Sequence, residues 1–239
     1  MKCVAGHQPN LYPYAGFFAK AASVDLFVIA DNTQYVSKEF HNRNRILLLN
    51  GSPAWLSVPV KTSGCYRQKI NEAEIDNSRD WRRIHRKSIL VNYRKSAYFN
   101  SFSSPFFDLL EKEWTLLADY NTAVIRLCFE LLGISTPLEL ASDLGVTGRA
   151  TGYIEDICRK TGAGAYMHGR HAYDYVDFES LAKAGITSFI QNYRAVEYRQ
   201  LHGRAFIPNL SILDILFNCG PDSMEVIMKG HSAAPFSQG

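Results

Sequence analysis

The chain has 239 residues, is 46% hydrophobic and 13% aromatic, and carries a formal net charge of +3. This supports a hydrophobic core and excludes a disordered chain, while the charge is too small for a nucleic-acid coat, so no DNA partner is expected. No apolar run approaches the roughly 18 residues of a membrane span, the N-terminus lacks a signal-peptide pattern, and the five scattered cysteines contain no Cys-x-x-Cys pair; a cytoplasmic protein without membrane contact, disulfide framework or Cys-rich zinc site is expected.

In chain order, Cys3–Gly6 reads as a short buried strand and a polar loop with His7-Gln8-Pro9-Asn10 follows it. Gly16–Ala22 reads as a helix and Leu26–Ala30 as a second strand. That succession predicts a parallel βαβ pair, with His7 and Asp31 beyond the carboxyl ends where ligands of such sheets bind. A polar, basic segment runs over Tyr35–Arg45, and Trp55–Val60 reads as a strand. Arg79–Lys95 reads as a basic helix, and Phe106–Leu132 as one long helix closed by Gly133. In the second half, Thr151–Thr161 is helical and Ala165–Met167 is a strand running into His168-Gly169-Arg170-His171. Phe178–Ala184 reads as a helix, Ile186–Ile190 as a strand, Ser211–Asn218 as a helix and Gly230–Gly239 as a loose tail. The expected fold is α/β: a Rossmann-like, mostly parallel sheet in an N-terminal half (1–100), a helical middle (101–135) and a smaller α/β C-terminal half (136–229), with a cleft between the halves and a flexible tail (230–239).

Several blocks then fall into a recognisable order. His7-Gln8-Pro9-Asn10-Leu11-Tyr12-Pro13-Tyr14-Ala15-Gly16-Phe17-Phe18 resembles the opening signature of the WbqC-like family. Asp31-Asn32-Thr33-Gln34, Lys38 and Asn42-Arg43-Asn44-Arg45-Ile46 are similar to its next block. Trp55–Val60, Tyr193–Gln200 and Phe206–Asp214 continue the match, which covers roughly residues 3 to 220. The resemblance implies a role in bacterial surface-polysaccharide (O-antigen) biosynthesis, as transfer of an aminoacyl group such as glycine to an amino sugar. Where family members tend to have Ser-Gly after the Tyr166 strand, this chain has His168-Gly169.

His7 is the first candidate for chemistry, because an imidazole beyond a strand end can take a proton from an attacking amine. Its plainer role is to lock the loop through a backbone carbonyl. Asp31 or Gln34 is expected to orient His7 or the acceptor, or else to hold a turn. Asn10 or nearby amides would stabilise a tetrahedral oxyanion. Lys38, Asn42, Arg43 and Arg45 are expected to hold a phosphate-bearing substrate, unless they form a solvated basic loop. The basic stretch Arg82, Arg83, His85, Arg86, Lys87, Arg94 and Lys95 reads first as a solvated helix face. His168 and Tyr173 are expected to contact substrate. His168 and His171 lack a helical register and a third ligand, so no metal is expected. Ser211 and Asp214 read as a helix-start pair, and Cys65 as the one cysteine in a polar loop.

The expected activity is N-acyl or aminoacyl (glycyl-type) transfer to the amine of an amino sugar or similar small molecule. No tightly bound cofactor is expected; a CoA or phosphopantetheine thioester would be the co-substrate. An acyl or peptidyl carrier protein or an aminoacyl-tRNA would be the partner. The alternatives are a non-catalytic module that binds a nucleotide sugar or carrier protein, and a nucleotidyl transferase-like enzyme.

Overall fold

A computed structural model of the chain describes residues 1–65, 67–202 and 205–237. Its frame is a six-stranded sheet in the order β5-β2-β1-β6-β7-β8. The strands are β1 (Cys3–His7), β2 (Leu26–Ile29), β5 (Leu138–Leu140), β6 (Ala165–His168), β7 (Thr187–Tyr193) and β8 (His231–Pro235). The first five run parallel; β8 closes the edge antiparallel to β7. Strands buried on both faces need near-continuous apolar runs, and Leu26-Phe27-Val28-Ile29 supplies one. A separate antiparallel ribbon pairs β3 (Arg43–Leu47) with β4 (Pro53–Ser57).

The parallel β1–β2 pair is as expected. The division into two α/β halves is not: strands from both halves build one sheet, with β6 hydrogen-bonded directly to β1. Residues 231–235, expected as loose tail, form β8, while Gln238 and Gly239 lie outside the described residues.

One face of the sheet carries α1 (Ala15–Ala21) and a large aromatic core, in which Phe17, Phe18 and Phe27 join Phe129 of α4 (Leu117–Leu132). Its further layers are α2 (Trp81–Tyr93), α3 (Phe99–Glu111) and α7 (Ile212–Cys219). The other face packs on α5 (Ala150–Thr161) and α6 (Phe178–Lys183), through Val4, Val28, Ile157 and Leu181. Helix α8 (Ser223–Lys229) packs beside α1.

The expected single helix over Phe106–Leu132 is two. The chain turns extended at Lys112, the Trp114 indole donates to the Leu109 carbonyl at 2.8 Å, and the Leu117 amide restarts on the Ala73 carbonyl. Gly133 does end α4, in the left-handed conformation at φ 66° that glycine adopts without strain. Among the described residues, no helix is long and apolar enough to cross a membrane.

Candidate functional site

The chain leaves β1 toward β2 on one side and returns much later to β6 on the other. That reversal makes the carboxyl ends of β1 and β6 the topological switch point, where open parallel sheets place ligand crevices. The two strands also part there. They pair only through Cys3↔Ala165 and Val4↔Tyr166, although β1 continues to His7 and β6 to His168. On their outer sides both stay paired, His7 with Ile29 and His168 with Ile190.

Parting strands strand backbone groups, which must find other partners. Both groups of Gly6 do so through side chains. Its N–H donates to the Tyr166 hydroxyl at 3.0 Å, and its carbonyl accepts from the Lys20 ammonium at 3.1 Å. A Cβ at residue 6 would lie 2.7 Å from the Tyr166 oxygen, so the close approach requires glycine. His7 sits at the mouth on the α1 face, edge-on to Phe17 at 4.8 Å. His168 turns to the α6 face, buried, with its ring 5.3 Å from Phe178 and its Nε2 hydrogen-bonded to Ser188 Oγ at 3.1 Å.

The tautomer of His7 follows from its contacts. Nδ1 lies 2.9 Å from the Gln8 carbonyl, which can only accept, so Nδ1 carries the proton. Nε2 keeps its lone pair and has no protein partner among the described residues, and His7 as a whole is only partly buried. Burial, then the charge of Lys20, holds His7 down to about 3; burial and the same charge hold His168 down to about 4. Burial alone pulls Lys20 from its usual range to about 8. Around neutral pH the crevice thus holds two neutral imidazoles and an ammonium.

Behind His7 a relay fixes the loop. The Val36 amide donates to His41 Nδ1 at 3.2 Å, His41 Nε2 donates to Gln8 Oε1 at 2.9 Å, and Gln8 Nε2 donates to Thr33 Oγ1 at 3.0 Å. Thr33 in turn donates to the Ala30 carbonyl. Asn121 of α4, fully buried, donates from one amide to the carbonyls of Pro9 and His41, both at 2.8 Å. Asn121→Leu is therefore expected to leave two buried carbonyls unpaired and to cost about 2–6 kcal/mol, two groups at the usual penalty; the urea midpoint of the variant measures it.

The other expected site residues scatter. Asp31 is buried, but its carboxylate accepts from the Ser142 amide and hydroxyl and from Asn71, and none of its hydrogen bonds goes to His7. It ties β2 to the segment after β5 and does not orient the imidazole. Gln34 is exposed. Asn10 is buried in the His7 loop. The basic segment does not gather at His7: Lys38 is exposed, and the Asn42 amide donates to the Val58 carbonyl. The Arg43 guanidinium lies 4.1 Å over the Trp55 ring, and Arg45 reaches the carbonyls of Pro208 and Asn209. His41 and Asn44 are the members turned toward the His7 loop, Asn44 by donating to the carbonyls of Leu11 and Tyr12. Tyr173 is exposed and packs on Phe178 and Phe236, while His171 is exposed beside Asp174.

Two other expectations change. Ser211 makes no side-chain cap; Asp214 is instead a buried acceptor for Tyr198 at 2.7 Å and Gln200 at 3.0 Å. On α2 the arginines are solvated, with Arg83 on Asp80 and Arg86 on Glu111, but His85 turns inward and is fully buried. Sequence reasoning missed Lys20, Gln8 and His41. Lys20 sits in Phe17-Phe18-Ala19-Lys20-Ala21-Ala22, where the apolar residues on both sides were the available signal of burial.

No solved structure matches the chain. It is 35% identical over 233 residues to the uncharacterized protein Rv1507c of Mycobacterium tuberculosis, a match covering 95% of this chain and 98% of that one. The WbqC-like protein family matches over residues 8–226, which begins at Gln8 beside the crevice and reaches α8. The chain belongs to the WbqC-like protein family.

Proposed function

We propose that this protein transfers an acyl or aminoacyl group, of the glycyl type, from a CoA, phosphopantetheine or tRNA carrier to the amine of an amino sugar or similar small acceptor, in the cytoplasm, as a step of surface-polysaccharide (O-antigen) or related biosynthesis. The observation that carries the reading is the Nε2 of the partly buried His7, without a protein partner among the described residues, at the switch point of the sheet, with its tautomer set by the Gln8 carbonyl. With a thioester donor, the amine nitrogen forms a bond to the acyl carbon and the carbon–sulfur bond breaks. The proton leaves the amine for Nε2 and passes on to the departing thiolate. Burial pushes Cys3 and Cys219 up to about 11 and Cys158 to about 12, which disfavours these three as thiolate nucleophiles.

One observation favours a second reading, a non-catalytic module for nucleotide sugars or carrier proteins: an imidazole held at about 3 is a weak base until a ligand alters its surroundings. Intact-mass analysis of amino-sugar nucleotides incubated with glycyl or acyl thioesters separates the two. The transferase reading expects an acceptor heavier by the acyl group, and His7→Gln to reduce the rate about 10²- to 10⁴-fold. No mass gain with any donor, alongside intact binding of the sugar nucleotide, would leave the binding module.

A further inference from the structure

Lys20 is 4% exposed, and it pairs with no carboxylate among the described residues. Its ammonium has three N–H donors and spends one on the Gly6 carbonyl. It reaches the Gly6 carbonyl from α1, at the point where β1 and β6 part. His7 and His168 lie within range of its charge on opposite faces of the sheet. Buried charges in proteins are normally paired, since an unpaired one forfeits its hydration with no return. An anion would supply the opposite charge that no described carboxylate gives Lys20, and His7, Gln8 and Gly169 at the ends of β1 and β6 are only partly buried.

We propose that the crevice between β1 and β6 binds a phosphate group, with Lys20 as its fixed cation and His7 and His168 as flanking imidazoles. One ammonium flanked by two imidazoles that can take up protons suits an anion of two or more charges better than a single carboxylate. A phosphate there opposes the charge of Lys20, which after burial is the second cause that holds both imidazoles down, so their affinity for protons rises as it binds. This relocates phosphate recognition away from Lys38, Asn42, Arg43 and Arg45. It does not depend on the transfer reaction: binding is measured without turnover, so it can fail while transfer stands, or stand while transfer fails.

The two natural sources are the diphosphate of a nucleotide sugar and the phosphates of a coenzyme A-type carrier. The test is thermal denaturation of the full chain at constant ionic strength, titrated with inorganic phosphate, UDP, CoA and, as a carboxylate control, acetate. Phosphate is expected to raise the melting temperature saturably and acetate not to. The tighter of UDP and CoA names the source. Lys20→Met, which keeps the buried stem, is expected to weaken phosphate binding about 10- to 100-fold, the loss of one charge-assisted contact. Should that variant not fold, histidine NMR on the unmodified chain decides: phosphate must raise the apparent pKa of His7 and His168. Equal phosphate binding by the folded Lys20→Met protein, or imidazole titrations unmoved by phosphate, would overturn the proposal.

Discussion

Acidification from pH 7 to pH 5 is expected to remove about 6 kcal/mol of stability, comparable to the whole folding free energy of many domains. Three histidines are responsible. His41, His85 and His168 are each at most 4% exposed, and burial is the first cause that holds each at about 4 rather than the usual 6.5. Unfolded, each binds a proton once the pH passes below about 6.5; folded, none does until about 4. The stability is therefore complete above 6.5 and drains as the pH falls toward 4, at about 2 kcal/mol per histidine by pH 5. His7 adds to the same trend. The geometry adds to this for His41, which accepts the Val36 amide on Nδ1 so that a second proton there would meet an N–H, while His85 donates Nε2–H to the Ser57 carbonyl at 2.9 Å and is held neutral by its complete burial. Urea titrations at pH 7, 6 and 5 measure the loss. His85→Gln should flatten the dependence by about 1.4 kcal/mol per pH unit, one proton's worth. A stability unchanged between pH 7 and pH 5 would refute the assignment of these rings as neutral.

The same rings show how far the sequence could be read. β1, α1 and β2 were legible because short apolar runs separated by a Pro- and Asn-bearing loop have few other solutions. His7 and His168, expected just beyond strand ends, are the last residues of β1 and β6. Their shared neighbour was not legible, because a lysine in a helix is ordinarily solvated, and only the parting of β1 from β6 creates a buried place for its ammonium. The Arg43-Asn44-Arg45 stretch looked like a polar binding loop. It is strand β3, and its polarity is spent on structure, with Asn44 holding two carbonyls of the Leu11–Tyr12 turn. β8 gave no strand signal, since His-Ser-Ala-Ala-Pro lacks the β-branched and aromatic residues that mark strands; its order comes from backbone pairing with β7. The break between α3 and α4 was hidden because apolar spacing continues across it.

These placements alter how proton transfer in the crevice would be controlled. With Lys20 charged and no anion present, His7 is too weak a base to take a proton from an ammonium-bearing acceptor near neutral pH. An anionic substrate would counter the lysine and raise the imidazole toward the range where it works. Activity, where found, should then depend on the phosphate-bearing part of a substrate as much as on its amine. A dephosphorylated amino sugar would lose rate and not merely affinity.

Phe217→Ala is expected to cost about 3–5 kcal/mol. Phe217 is fully buried at the centre of an aromatic layer. Its ring lies 5.4 Å from Tyr93 of α2 and 5.2 Å and 6.1 Å from Phe99 and Phe106 of α3. Its carbonyl also accepts the Tyr98 amide at 3.0 Å, which sets the start of α3. Truncation removes the ring from three helices together, and they cannot all close on the gap because each is pinned elsewhere. Tyr93 accepts the Leu47 amide at 2.8 Å, and α7 is held to β3 where the Ser211 amide meets the Arg45 carbonyl. The cavity term should therefore stay near its upper range, while Phe217→Leu, which refills most of the volume, should cost under about 1.5 kcal/mol. For a chain of this length the alanine variant is expected to melt roughly 10–15 °C lower. A fall of only a few degrees would mean that α7 can move onto α3, and that the contacts at Leu47 and Arg45 are looser than their geometry indicates.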